Sequence, residues 1–174
     1  MTKAIVTIFG SSQAKDGEKD YEEARLLGKK LAEAGHTICN GGYGGVMEAS
    51  ARGAKEAGGK TIGVTTEDFG GPANCWIDKE IHVRKWGERL FKLVELGGAY
   101  VVFDGGTGTL VELLVVWEMS NKKFLSKPVV LLGKEIQTLT REMQKLPQVI
   151  QNANLLFART SEDAVKILKD KVKC

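Results

Sequence analysis

The sequence lacks the features that mark several large classes of protein. It has three cysteines, an odd number without CxxC spacing, and only two histidines. This content argues against a disulfide scaffold and against structural zinc. No apolar run approaches the length of a membrane span, and the first residues lack the charged and apolar segments typical of a secretory leader. We therefore expect a cytoplasmic protein without a metal site and without membrane association.

The charge balance is also too mild to indicate a nucleic-acid surface. The chain has 25 basic and 22 acidic residues, which gives a net charge of +3. These charges are interspersed, so no nucleic-acid partner is expected, although an anionic small molecule is compatible with them. With 174 residues and 43% apolar content, the chain can bury one good core. We expect a single domain over residues 1–174.

Two common nucleotide-binding fingerprints are missing. The first strand is followed by Gly10, Ser11, Ser12 and Gln13, whereas a dinucleotide site needs GxGxxG at that point. No GxxxxGK[ST] motif occurs, so a P-loop ATPase or kinase would lack its lysine and its magnesium-binding hydroxyl. NAD and P-loop chemistry are therefore disfavoured.

Hydrophobic patterning alternates between strands and helices along the whole chain. The predicted strands are 4–9, 37–39, 60–64, 80–83, 100–103, 129–132 and 155–158, and the predicted helices are 20–34, 46–57, 85–96, 109–120, 136–145 and 161–173. Residues 65–78, rich in polar residues and glycine, are predicted to form a loop over the strand ends, and Ser161 to cap the last helix. This order predicts an α/β fold: a Rossmann-like, doubly wound parallel sheet with helices on both faces.

A nine-residue segment occurs twice in related form. Residues 40–48 read NGGYGGVME and residues 104–112 read DGGTGTLVE. Each copy follows a predicted strand and precedes a predicted helix. Glycine turns of this kind leave backbone N–H groups free to converge on an anion at a helix N-terminus. The repeat therefore predicts two candidate phosphate cradles.

Three loops are expected to face one site, because ligands of such sheets bind at the carboxyl ends of the strands. An alternative is that they are only tight turns between strand and helix, which also favour glycine and serine. The candidate phosphate- or substrate-binding residues in these loops are Gly10, Ser11, Ser12, Gly41, Gly42, Gly44, Gly45, Gly105, Gly106, Thr107, Gly108 and Thr109.

Charged residues beside these loops complete the candidate site. Arg84 and Lys85 precede a helix predicted to start near the crevice, and guanidinium suits bidentate contact with phosphate. Arg84 could instead be a surface partner of Glu88. Glu112 follows the second glycine loop, but Thr109 to Glu112 also fits a capping box, in which the glutamate would only close the helix end.

Four of these segments together resemble the LOG family of nucleoside 5′-monophosphate phosphoribohydrolases. Residues 105–112 resemble its PGGxGTxxE signature, and residues 82–85 its MHxRK segment. Residues 10–12 are similar to its GSS turn, and residues 41–47 to its GGGxxGLM loop. The resemblance covers residues 4–133 in the family's order. One departure is Asp104 in place of the signature proline, which puts a negative charge beside a proposed phosphate site unless the side chain points away or meets Lys85 or Arg84.

The resemblance implies a Rossmann-like homodimer that hydrolyses an N-glycosidic bond without metal or organic cofactor. It implies Arg84 and Glu112 as the catalytic pair and the loop of residues 105–109 as the phosphate site, and the loop of residues 41–45 would help to shape the ribose-phosphate site. Lys85, in the segment that resembles MHxRK, is a further candidate phosphate- or substrate-binding residue. The substrate would be a purine or cytokinin-type nucleoside 5′-monophosphate. The alternative is a carrier that binds a nucleotide or nucleotide-like cofactor without turnover, as is proposed for some relatives of the same fold.

A homodimer or higher homo-oligomer is also suggested by one helix. Residues 110–119 read LVELLVVWEM and are apolar nearly all round, whereas a helix that covers one face of a sheet needs only one apolar stripe. Its second face could pair with a second copy and with the helix of residues 85–96. Burial beneath the C-terminal helix is the alternative.

Overall fold

The computed structural model describes residues 4–149 and 154–171. Within these two ranges, the seven strands are β1 (Ile5–Phe9), β2 (Thr37–Asn40), β3 (Thr61–Thr66), β4 (Lys79–Val83), β5 (Ala99–Val102), β6 (Val129–Leu131) and β7 (Leu155–Phe157). They form one sheet in the order β4-β3-β2-β1-β5-β6-β7. Every neighbouring pair is parallel.

Strand β1 lies at the centre of the sheet and fixes the position of the site. Val6 pairs with Ile38 of β2 on one side and with Ala99 of β5 on the other. The chain builds the sheet outward from β1 in one direction through β2 to β4 and in the other through β5 to β7. The strand order therefore switches between β1 and β5, and ligands of open parallel sheets bind at such a switch.

Among the described residues, six helices cover the sheet. They are α1 (Lys19–Glu33), α2 (Val46–Glu56), α3 (Trp86–Leu96), α4 (Thr107–Asn121), α5 (Lys134–Met143) and α6 (Ser161–Lys171). Helices α1, α2 and α6 share one apolar core with Val6 and Ile8, and α3, α4 and α5 share another with Phe9. Because helices bury both faces of the sheet, its inner strands are continuous apolar or β-branched runs.

The predicted fold class is confirmed, and the predicted elements are displaced by only a few residues at their ends. The predicted end of the last helix, residues 172–173, lies outside the described residues. The loop over the strand ends begins at Glu67, because Thr65 and Thr66 extend β3. The predicted cap of α6 is wrong by one position. Ser161 is the first residue of the helix, and the hydroxyl that accepts a hydrogen bond from the Asp163 amide belongs to Thr160. Within residues 4–149 and 154–171, no helix is long and apolar enough to cross a membrane.

Candidate functional site

A cavity of about 460 Å³ opens at the carboxyl ends of the central strands. This volume suits a small organic ligand. Its walls come from the turn after β1, the two glycine loops, the loop after β3, and helices α3 and α4. The lining residues are Ile8, Phe9, Gly10, Ser11, Ser12, Gln13, Gly41, Tyr43, Met47, Phe69, Gly70, Trp86, Arg89, Gly106, Thr107, Gly108, Thr109 and Glu112.

The second glycine loop forms an open cradle beside this cavity. Helix α4 begins at Thr107, with Gly106 as its N-cap and no side chain capping its first turn. The first amides of a helix have no acceptor within it, and Thr107, Gly108 and Thr109 line the cavity. An anion placed here would meet free N–H groups at the positive end of the helix dipole.

Asp104 does not place its charge in this cradle. Its Oδ1 accepts a hydrogen bond of 2.7 Å from the Ile136 amide, in the first turn of α5. A carboxylate is stabilised there by the dipole of that helix. The residue that replaces the signature proline therefore serves the neighbouring helix, and the departure from the LOG pattern leaves the cradle free for an anion.

The first glycine loop, by contrast, is held by its own hydrogen bonds. The Gly42 amide donates to Asn40 Oδ1 at 2.8 Å, and the Val46 amide at the start of α2 donates to the Ser11 carbonyl at 2.9 Å. Asn74 Nδ2 donates to the carbonyls of Gly42 and Tyr43. Of the glycines predicted here to bind phosphate, Gly41 lines the cavity, whereas Gly42, Gly44 and Gly45 do not. This loop is a wall rather than a second cradle.

The turn after β1 brings its three predicted residues to the cavity, as expected. Gly10, Ser11 and Ser12 all line it. A Cβ on Gly10 would lie 2.7 Å from a methyl group of Val46, so glycine is required where β1 meets α2. The Ser11 amide donates to the Asp104 carbonyl at 3.1 Å, which joins this turn to the second glycine loop. Gly105 does not line the cavity, and a Cβ on it would meet the Thr109 side chain.

Glu112 projects into the cavity and does not cap α4. Because α4 begins at Thr107, Glu112 lies in its second turn, and the capping-box alternative is wrong. Its side chain is 15% exposed. Burial raises the pKa of Glu112 to about 7, and the nearby Arg89 opposes that rise. The carboxyl can therefore exchange a proton near neutral pH, a property typical of groups that act in catalysis.

The cation beside Glu112 is Arg89 of α3. Its Nη1 lies 3.9 Å from Glu112 Oε1, and its side chain is 6% exposed. Nε donates to the Val64 carbonyl at 2.8 Å, and Nη2 to the Gly41 carbonyl at 3.1 Å. The guanidinium also lies 5.4 Å from the ring centroids of Tyr43 and of Phe69. Burial lowers the pKa of Arg89, partly offset by the charge of Glu112.

Arg84 and Lys85, which the sequence pointed to, do not reach this cavity. Both are exposed and neither lines it. The backbone amides of the two residues donate to Glu88 Oε2, and the Arg84 carbonyl accepts from Thr66 Oγ1. Lys85 forms a surface ion pair of 3.5 Å with Asp68. The predicted pairing of Arg84 with Glu112 is not found, because the Arg84 side chain is exposed, whereas Arg89, farther along the same segment, is buried beside Glu112.

Sequence reasoning missed Arg89, although one signal pointed to it. Arg89 lies on the same helical stripe as the buried Leu90, Leu93 and Val94. A charged residue among core positions is rarely buried unless it is paired. The position of Arg89 among these apolar residues thus indicated that it is buried, whereas the MHxRK resemblance pointed to Arg84 and Lys85 instead.

Two known proteins have sequences similar to that of this chain. A relative from Archaeoglobus fulgidus described as an uncharacterized protein is 34% identical over 122 residues, which cover 68% of this chain and 79% of that protein. The cytokinin riboside 5′-monophosphate phosphoribohydrolase of Rhodococcoides fascians is 29% identical over 141 residues, which cover 76% of this chain and 69% of the enzyme.

A solved structure matches the whole fold. The molybdenum cofactor binding protein from Rippkaea orientalis is 28% identical with a TM-score of 0.78, over 98% of each chain. The LOG resemblance has partial support, since one relative is a phosphoribohydrolase. The cofactor-binding structural neighbour fits the carrier alternative as well. The sequence matches the SLOG cluster4 family over residues 3–163, and the chain belongs to that family.

Proposed function

We propose that this protein hydrolyses the N-glycosidic bond of a nucleoside 5′-monophosphate, releasing the free base and ribose 5-phosphate. The observation that carries the proposal is the position of Glu112. Its carboxyl group faces the cavity one turn after the open N-terminus of α4. Phosphate on that N-terminus would leave the ribose within reach of a carboxyl group whose pKa is about 7.

The phosphate-binding step uses backbone groups. The first turn of α4 offers N–H groups at the positive end of the helix, and a Cβ on Gly106 or Gly108 would point into open space. A phosphate could approach the backbone closely there. Binding energy from the phosphate, remote from the reacting bond, would be spent on positioning the ribose against Glu112.

The chemical step breaks the bond between the anomeric carbon and the base nitrogen. A water oxygen forms the new bond to the anomeric carbon, and one proton of that water ends on the departing base. Positive charge develops on the ribose as the base leaves, and ionised Glu112 would stabilise it and accept a proton from the attacking water. No step in this sequence requires a metal or an organic cofactor.

Arg89, rather than the Arg84 that the resemblance implied, is the cation beside Glu112 in this proposal. Because Nε and Nη2 are held by backbone carbonyls, only Nη1 is directed toward Glu112. Its charge favours the ionised carboxylate, and its fixed position limits where that carboxylate can lie. We propose Glu112 as the catalytic carboxylate and Arg89 as the residue that positions it.

The proposal is tested by incubating the protein with a panel of purine and pyrimidine nucleoside 5′-monophosphates. Chromatography would detect the free base, and a separate assay would detect ribose 5-phosphate in equal amount. The matched nucleosides, which lack the phosphate, should react far more slowly, because they cannot use the α4 cradle. Recovery of every monophosphate intact would rule out the hydrolase.

A carrier of a nucleotide or nucleotide-like cofactor is the second candidate. It is favoured by the structural match to the Rippkaea orientalis molybdenum cofactor binding protein. A carrier should bind one member of the same panel tightly and return it unchanged. The two candidates share the cavity and differ only in turnover, so binding and product formation measured on one sample separate them.

A further inference from the structure

One side of the cavity is lined by aromatic side chains, in contrast to the backbone amides of the glycine cradle. Phe69 and Trp86 both line it, and they are 56% and 40% exposed. Exposed aromatic side chains of this size at the mouth of a cavity leave apolar surface in water that a ligand can cover.

Phe69 is held in place although more than half of it is exposed. Its ring packs on that of Tyr43, with centroids 5.8 Å apart and planes at 57°. Tyr43 is itself fixed, because its hydroxyl donates to the Thr66 carbonyl and accepts from the Thr66 amide. The remaining surface of Phe69 is therefore presented in one orientation, which reduces the entropy lost on binding.

Trp86 is fixed to the same loop. Asp68, the neighbour of Phe69, accepts a hydrogen bond of 2.7 Å from the Trp86 amide through Oδ2. The Asp68 amide in turn donates to Thr66 Oγ1 at 3.3 Å. Asp68 thus ties the loop after β3 to the first residue of α3, so that the two aromatic residues border the same opening.

The contacts also give the order of groups across the cavity. Glu112 on α4 lies beside Arg89, and Arg89 lies over the rings of Tyr43 and Phe69. The anion cradle at the start of α4 is therefore on the Glu112 side, and the aromatic surface is on the Arg89 side. A ligand with a charged group at one end and a planar ring at the other matches this order.

We propose that Phe69 and Trp86 bind the planar base of the substrate and select ring-bearing nucleotides over ribose 5-phosphate. This inference rests on the proposed function, since it names what the second half of the same cavity recognises. Stacking on aromatic side chains accepts any base, because every base has a π face. The surface would thus separate substrate from the product ribose 5-phosphate, which lacks the ring and would leave readily.

The test measures binding of AMP and of ribose 5-phosphate by calorimetry, with Glu112→Gln as the background if AMP is cleaved. Phe69→Ala should weaken AMP binding by about tenfold or more and leave ribose 5-phosphate binding unchanged. Phe124→Ala is the matched control, because Phe124 is 77% exposed and does not line the cavity. Equal weakening of both ligands by Phe69→Ala, or no weakening of either, would overturn the proposal.

A second readout uses the fluorescence of Trp86. Stacking of AMP should quench it, and Trp86→Phe should retain AMP binding while losing that quench. Trp76 does not line the cavity and Trp117 is buried, so neither should respond. If AMP binds but is not cleaved, the proposed hydrolase function is refuted, whereas the proposed binding of the base by Phe69 and Trp86 still stands. If the Phe69→Ala variant cleaves AMP with an unchanged KM, the proposed binding of the base by the aromatic residues is refuted, whereas the proposed hydrolase function still stands.

Discussion

Glu48 and Glu112 occupy the same position of the repeated segment and have different environments. Glu48 Oε1 accepts a hydrogen bond of 3.2 Å from the Tyr21 hydroxyl, and Glu48 does not line the cavity. Glu112 faces the cavity and has Arg89 as its charged neighbour. The difference arises because α2 and α4 cover opposite faces of the sheet, so equivalent positions point to different surroundings.

Glu112→Gln should reduce turnover by at least about a hundredfold, because an amide cannot supply the negative charge that steadies the developing cation. Nucleotide binding should persist, since the phosphate cradle is built from backbone. Steady-state kinetics and calorimetry on the same preparation would measure both. Glu48→Gln, the matched control from the first copy of the repeat, should change turnover only slightly. Similar losses in the two variants would contradict the assignment of chemistry to Glu112.

The same residue should make stability depend on pH. Burial raises the pKa of Glu112 from 4.5 to about 7, so folding favours the protonated carboxyl. Its contribution is fully present below about pH 4.5 and is lost as the pH rises through about 7. The glutamine of the Glu112→Gln variant cannot ionise. The free energy of unfolding of this variant, relative to that of the natural protein, should therefore increase as the pH rises across this range, by up to about 3 kcal/mol. Urea unfolding of both proteins at several pH values measures this difference, and a difference independent of pH would contradict it.

At the scale of elements, the two glycine loops of the repeated segment have similar sequences but different roles. The first is closed by Asn40, Asn74 and the Ser11 carbonyl, and its Gly41 makes room for a side chain. A Cβ on Gly41 would lie 1.7 Å from Arg89 Nη2. The second loop keeps its helix N-terminus open to the cavity. One loop thus positions the arginine, and the other is available to an anion.

Gly41→Ala should therefore displace Arg89 and weaken the site. We expect a stability loss of about 1–3 kcal/mol, together with a marked loss of activity. Gly44→Ala is the matched control within the same loop, because its added methyl group would come no closer than 3.6 Å to the Ser12 carbonyl. Its stability should change by less than about 0.5 kcal/mol. Thermal unfolding and turnover of the two variants test this, and equal effects would show that the contact with Arg89 is unimportant.

At the scale of the molecule, the outer side of α3 and α4 presents apolar surface. Phe91 and Leu114 are 58% and 42% exposed. The alternative considered for α4, burial beneath the C-terminal helix, is wrong, because α6 packs on the opposite face of the sheet. The expectation of a partner for this helix therefore stands as a prediction.

We expect a homodimer that buries this surface about a twofold axis, since a self-complementary apolar patch favours that symmetry. Light scattering at micromolar concentration should report twice the mass of one chain, and Leu114→Glu should return the protein to a monomer. Leu26→Glu is the control, because Leu26 is 37% exposed on α1, on the other side of the sheet. A natural protein that is monomeric under these conditions would refute the prediction.

Much of the fold could be read from the sequence because its signals are local. Apolar β-branched runs such as residues 5–9 ended at glycine turns, and helical periodicity followed most of them. The alternation of strand and helix then leaves few topologies, since parallel connections are right-handed and adjacent. The capping box at Glu112 failed for a local reason too: α4 starts two residues before Thr109, and glycine-rich starts carry weak boundary signals.

The sequence by itself determined the parallel sheet and the glycine turns, and its resemblance to the LOG family pointed to Glu112 as a candidate catalytic residue. Only the tertiary structure decided which arginine accompanies that glutamate and which of the two loops stays open. Both depend on contacts between residues distant in the chain, such as Arg89 with Gly41 and Val64, and Asp104 with the start of α5. Spacing along the chain cannot encode such contacts, because the packing of helices on the two faces of the sheet fixes where each side chain points.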